Sequence, residues 1–409
     1  MTLLRNACLL AATAGVAACQ VYDPTLIEEG SAGVPERPLA ETSSADDANE
    51  ATFALYNFSL DQTGTRWQRL GLDLDGFDTS SIESDAECLA ANGRPQLDGD
   101  RGIDNSFGQH VLPALVNLVS CMEDDIALNQ GRGLGTILVQ LSNWNGSRDD
   151  AEVEVSIVTA VDGTSRDDVG DLLWGGADGA LLVEPSSDVV EAPDPAWDGE
   201  DVFFVDPVSL DADLAAPRVR VQDAYVAKGR IVMPLTAGSP LTFLTGAGSL
   251  VLAVDGFLLA DLSQDGQTLE KGLFAGRTAV DDFIDSLSPL GICEESFQES
   301  IVSLVRDNLD LRVDKDGGSA TDSCSATGVS YTFQGMRARI ADAVAPVALP
   351  IPNPCDAPPT SGLQPAFGRC CVSTELSDDT LLPVECTAAD LAPYKNSPTP
   401  IPVPASEDF

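Results

Sequence analysis

Glu152-Val153-Glu154-Val155-Ser156-Ile157-Val158 sets an apolar side chain at every second position and a polar one between. Successive side chains of a strand point to opposite faces, so Val153, Val155 and Ile157 share one face and Glu152, Glu154 and Ser156 the other. One buried and one wet face is the signature of an antiparallel sheet rather than of a strand buried on both sides.

Neighbouring segments repeat the pattern. Upstream, residues 136–141 are an apolar run, and residues 51–60 carry Phe53, Leu55, Tyr56 and Phe58. Downstream, residues 201–205, 218–221, 225–235, 241–244, 249–262 and 329–340 are β-rich, with Gly and Asp at the turns between them. So many short strands at close spacing predict a mainly β fold. The expected architecture is an antiparallel β-sandwich, jelly-roll or lectin-like, with a few packed α-helices and a small cystine-rich C-terminal cap.

The helices are expected at residues 107–128, 278–287 and 294–309, where apolar residues recur at helical spacing. Val111, Leu115, Leu118 and Met122 mark the first, and Phe297, Ile301, Leu304 and Val305 the third. Residues 345–395 change to proline, cysteine and small polar residues, too poor in apolar side chains for a core of their own. Residues 396–409 form a proline-rich tail with Pro398, Pro400, Pro402 and Pro404. At the other end, residues 19–49 are rich in Glu, Asp, Ser, Ala and Pro and suit a flexible tether. The ectodomain is expected over residues 50–344.

Residues 1–18 have the parts of a secretory signal: one charge at Arg5, an apolar run over residues 7–16, and small residues before a cleavage point. The run is too short to cross a hydrocarbon core, which takes roughly 20 residues. Val16-Ala17-Ala18-Cys19 resembles the bacterial lipobox, with valine in place of the commoner leucine. The resemblance covers only these first residues. It implies cleavage before Cys19, lipidation of that thiol, and attachment to membrane through the lipid alone. Gln20, not being aspartate, implies the outer membrane or cell surface. Cleavage near Ala18 by an ordinary signal peptidase is the alternative.

With 22 basic against 65 acidic residues the net charge is −43, which excludes nucleic acid as a partner. The same field repels anionic lipid and acidic polymers, leaving cations, carbohydrate and protein as partners. The scarcity of lysine resembles proteins adapted to salty surroundings. Hydrophobic residues make up 44% of the chain, so a packed core is expected rather than a disordered acidic coil.

With Cys8 in the signal and Cys19 lipidated, Cys88, Cys121, Cys293, Cys324, Cys355, Cys370, Cys371 and Cys386 remain. An even number in an exported chain reads as disulfides. Loop closure favours near neighbours. The expected pairs are therefore Cys88 with Cys121 and Cys293 with Cys324, the last four pairing among themselves. One histidine, His110, and no CxxC argue against structural zinc.

Leu97-Asp98-Gly99-Asp100-Arg101-Gly102-Ile103-Asp104 resembles the aspartate and glycine loops of secreted calcium-binding repeats. Asp98, Asp100 and Asp104 are the candidate ligands, hard oxygens suited to Ca2+. Asp73, Asp75 and Asp78 form a second loop of the same chemistry, and the two are candidates to converge on one ion. The alternative is a pair of polar turns whose aspartates bond the backbone.

Asn143-Trp144-Asn145-Gly146-Ser147-Arg148-Asp149 joins an aromatic face to amide and carboxylate groups, the combination that holds sugars. Trp144, Asn143, Asn145 and Asp149 are the candidate ligand-binding residues. An Asn-Gly hairpin with a partly buried tryptophan is the competing reading.

No GxSxG, GxxxxGK or HExxH occurs. The expectation is a non-catalytic surface lipoprotein binding a ligand or partner, with carbohydrate and calcium as the chemistry. The alternatives are a polysaccharide hydrolase using a carboxylate pair and a structural envelope protein.

Overall fold

The computed structural model describes residues 33–39, 49–118 apart from 61 and 63, 126, 130, 131, 133–162, 195–244, 249–290, 292–345 apart from 316 and 317, and 355. Cys19 and the signal, Cys121, the cap cysteines Cys370, Cys371 and Cys386, and the proline-rich tail lie outside the described residues.

Among the described residues, ten strands carry the fold: β1 (Asn49–Ser59), β2 (Leu134–Trp144), β3 (Asp150–Asp162), β4 (Val202–Val205), β5 (Val219–Ala227), β6 (Arg230–Leu244), β7 (Ser249–Leu262), β8 (Thr268–Ala279), β9 (Ala326–Arg337) and β10 (Arg339–Val344). Eight of them follow one another in the order β3-β2-β1-β9-β8-β7-β6-β5, and β5 then pairs back onto β3. The sheet is a closed antiparallel barrel. The expected β-sandwich is wrong for that reason, although the β-rich character with few helices holds.

Closure rests on β3. Its first half, from Asp150 to Ile157, pairs with β5, while Ala160, Val161 and Asp162 pair with β4. β4 in turn takes β10 in parallel, so β4 and β10 leave the barrel as a short flange. No local pattern in residues 152–158 distinguishes the barrel from a sandwich, because both demand the same alternation.

That alternation is present. Val153, Val155 and Ile157 face a core that every barrel strand joins, through Leu55, Val139, Val155, Val221, Met233, Leu258, Phe274 and Tyr331. Glu152, Glu154 and Ser156 face outward. The outward face is not polar throughout: Tyr225, Val232, Leu259 and Ala275 on β5 to β8 form an apolar cluster with Leu72. No described helix is long and apolar enough to cross a membrane.

The outward face turns apolar at Val158 and Ala160, where Trp197, Phe203 and Val205 cover it. Trp197 packs between Tyr56 and Phe203, with tilted rings and centroids 5.2 and 6.0 Å away. The flange thus buries what would otherwise be an exposed apolar patch.

Strand β8 has no counterpart among the expected strands, since Gly272 and Gly276 interrupt its alternation. The glycines are there for contact: a Cβ on Gly272 would lie 2.4 Å from the Phe333 ring of β9. Elsewhere the expected strand over 225–235 crosses the turn at Lys228 and Gly229 between β5 and β6, the expected strand over 241–244 is the end of β6, and the last expected strand is two, broken at Ala338.

Among the described residues, these helical segments pack onto the same core. α1 (Leu112–Leu118) continues a π-helical turn at Phe107–Val111; α2 (Val280–Ser286) and α3 (Glu295–Asp307) follow β8. Phe107 meets Phe283 edge-on at 5.6 Å and Tyr331 at 6.3 Å, tying α2 and the π turn to β9.

Among the described residues the disulfides are Cys88–Cys324 and Cys293–Cys355, which corrects the expected Cys88–Cys121 and Cys293–Cys324 pairings and the expectation that Cys355 pairs within the last four cysteines. Sequence distance was the wrong guide, because closure entropy rises only logarithmically with loop length. The fold brings Leu89 beside Ser323, and that bridge sets Cys88 against Cys324.

Residues 33–39, within the expected tether, lie on the barrel wall. Arg37 sits over the Tyr225 ring, 4.7 Å from its centroid, and donates to the carbonyls of Ala151 and Asp223. The Tyr225 hydroxyl donates to the Pro35 carbonyl.

Candidate functional site

Residues 64–105 form a loop layer with almost no regular structure, so its shape depends on side chains bonding backbone. In the first loop, Asp73 Oδ1 accepts from the Gly76 N–H at 2.6 Å and Asp75 Oδ1 from the Phe77 N–H at 2.8 Å. In the second, Asp98 Oδ2 accepts from the Thr79 N–H at 2.6 Å, and the Asp98 N–H donates back to the Thr79 carbonyl at 3.1 Å. Asp104 Oδ2 accepts from the Leu74 N–H at 2.6 Å, which stitches the two loops together.

Gly102 makes that approach feasible. Its φ is +80°, and an added Cβ would lie 2.4 Å from the Phe77 carbonyl oxygen and 3.4 Å from Asp73 Cγ. Any other residue there would push the loops apart.

Asp73, Asp75 and Asp104 consequently converge: one carboxylate oxygen from each lies within 4.8 Å of the others. Asp104 is 1% exposed, and its Oδ1 is buried without a hydrogen-bond partner. Asp98 stands beside the group and is half-buried. Asp78 is exposed, though close enough to Asp73 for its charge to be felt. Asp100 is exposed, with its N–H donating to the Gln68 carbonyl, and does not join the cluster.

The crowding is visible in protonation. Burial, reinforced by the charges of Asp75, Asp310 and Asp98, holds the Asp104 carboxyl well above the usual range. Burial likewise pushes Asp98 up to about 7, aided by Asp75 and Asp310. Asp75 rises to about 6 through burial and the neighbouring Glu87 and Asp73. Asp73 is raised as well, again chiefly by burial.

Three residues that anchor the layer had no signal in the sequence. Arg277 on β8 donates to Glu87 at 2.7 Å, and its other contacts are the Arg312 and Leu74 carbonyls. Asp310 accepts from the Gly328 and Ser106 N–H groups at 2.8 and 3.2 Å, and burial pushes it to about 6. No local motif marks them out from the other charged residues of the chain, and long-range packing sets them beside the loops.

The Trp144 loop is the β2–β3 hairpin. The Trp144 indole N–H donates to the Ser147 carbonyl at 3.1 Å, and its ring packs against the core. Asn145 donates to the Asp149 carbonyl, Asp149 accepts from the Lys228 N–H at 2.7 Å, and Asn143 donates to Glu154. These residues are occupied in closing the turn. Among the described residues, an aromatic group that does reach solvent beside carboxylates is Phe77, 38% exposed between Gly76 and Asp78.

The chain matches no family model, no curated protein and no solved structure. Its function must therefore be argued from its own geometry.

Proposed function

We propose that this chain is an exported, lipid-anchored, non-catalytic binding protein, held at the outer membrane or cell surface through Cys19. Its loop layer meets the ligand, and carbohydrate is the ligand class. The supporting observation is the layer itself: an irregular acidic surface pinned to a closed barrel by Arg277, Glu87 and the Cys88–Cys324 disulfide, with Phe77 exposed among carboxylates. Loops positioned by a rigid scaffold are where recognition concentrates. A pyranose offers an apolar C–H face for the Phe77 ring and hydroxyls for the aspartates.

A glycan panel tests the binding arm. Saturable binding that falls at least tenfold in Phe77→Ala supports it, and no binding to any glycan removes carbohydrate from the proposal. Palmitate labelling tests the anchor: Cys19→Ala should be unlabelled and released from membranes.

A further inference from the structure

We propose that Asp73, Asp75 and Asp104 form a calcium site that welds the two aspartate loops into one unit. The inference goes beyond the recognition reading and does not depend on it, since the site stands whether or not a glycan binds.

The first support is spacing. Oxygens bound to Ca2+ at about 2.3–2.6 Å lie up to roughly 5 Å apart across the ion. The three carboxylates each supply an oxygen within a 4.8 Å span, which is that geometry.

The second, independent support is Asp104 Oδ1. A carboxylate oxygen buried from water without a donor is costly. Its sister oxygen is held by the Leu74 N–H, between Asp73 and Asp75, so the unsatisfied oxygen belongs to a carboxylate fixed against the other two. Nor does the nearby Arg277 relieve it. Its Nη1 and Nη2 are directed to Glu87 and to the Arg312 and Leu74 carbonyls. A cation supplies what the cluster lacks.

The donor set selects the ion. All three ligands are hard oxygens with no histidine or cysteine among them, which disfavours zinc. The loops are irregular backbone, able to complete the seven or so ligands of calcium with carbonyls and water, whereas Mg2+ demands a tighter octahedron. Asp73 and Asp75 each have one oxygen tied to a backbone N–H, which orients the carboxylates before the ion arrives. Asp98 bonds Thr79 beside the cluster and is not one of the three ligands.

Isothermal titration of the purified full chain with CaCl2, after EDTA treatment and in about 0.15 M NaCl to screen diffuse binding, tests the site. The expected result is one Ca2+ per chain with a Kd on the order of 0.1–1 mM, the range of extracellular calcium modules. Asp104→Asn and, separately, Asp75→Asn should weaken binding at least tenfold. Asp100→Asn, exposed and outside the cluster, should bind as the wild type does. Two variants are used because one of them failing to fold leaves the other informative. No saturable calcium uptake by the wild type, unchanged affinity in a folded Asp75→Asn or Asp104→Asn, or equal affinity for Mg2+ would each overturn the assignment. Running the glycan panel with and without EDTA keeps this result separate from the recognition proposal.

Discussion

The Arg277 guanidinium lies 2.7 Å from the Glu87 carboxylate, and each side chain is only 4% exposed. Glu87 also accepts from the Arg312 N–H at 3.0 Å. This is the bond by which a barrel strand grips the irregular loop layer.

Breaking such a pair one side at a time leaves a buried charge without a partner. Glu87→Gln and Arg277→Met should each destabilise the protein by about 3–5 kcal/mol. The double variant should lose less than the sum, because neither charge is then left alone. Urea unfolding of the four proteins measures this, and strictly additive losses would show that the pair is not the source.

The Cys88–Cys324 bridge closes a loop of 236 residues. In the chain-entropy model a loop of that size is worth about 5 kcal/mol. Cys88→Ser with Cys324→Ser should therefore lower the urea midpoint sharply and expose the loop layer to protease before the barrel. Equal protection of both regions would argue against the bridge as the tether.

The raised carboxyls give metal-free protein a definite pH dependence. Asp98 near 7, Asp75 and Asp310 near 6, and the elevated Asp104 all hold protons more tightly folded than unfolded, where an aspartate titrates near 3.8. The folded state thus binds more protons between about pH 4 and 7, and the stability these groups contribute is lost as pH rises through that window. In EDTA the melting temperature should fall between pH 5 and pH 8, and Asp98→Asn should flatten the fall. A melting temperature that rises across this range would contradict the burial argument.

Gly256 on β7 faces Ala275 and Gly276 of β8, where a Cβ would come within 2.2 Å of the Ala275 carbonyl oxygen. Backbone cannot give way as a flexible side chain can. Gly256→Ala should cost about 1–3 kcal/mol by overpacking, read as a lower thermal midpoint in a thermal melt.

The sequence by itself determined the local facts. Alternation at Glu152 to Val158 specified a half-buried antiparallel strand, helical spacing specified α3, and the Asp-Gly runs specified two acidic turns, since each follows from residues a few positions apart. Sequence also nominated Asp73, Asp75 and Asp104 among six candidate ligands.

Tertiary structure decided everything that depended on distant residues meeting. Closure comes from β3 pairing with β5, and β9 inserts between β1 and β8; neither leaves a local trace. The disulfide partners followed spatial proximity instead of sequence spacing. Which aspartates converge was settled by Gly102 fitting under Phe77 and by Asp104 reaching Leu74 across 30 residues. The physical reason is common to all three cases. Side-chain periodicity reports which face of an element is buried, but several folds bury the same faces, and only the packing of the whole chain selects among them.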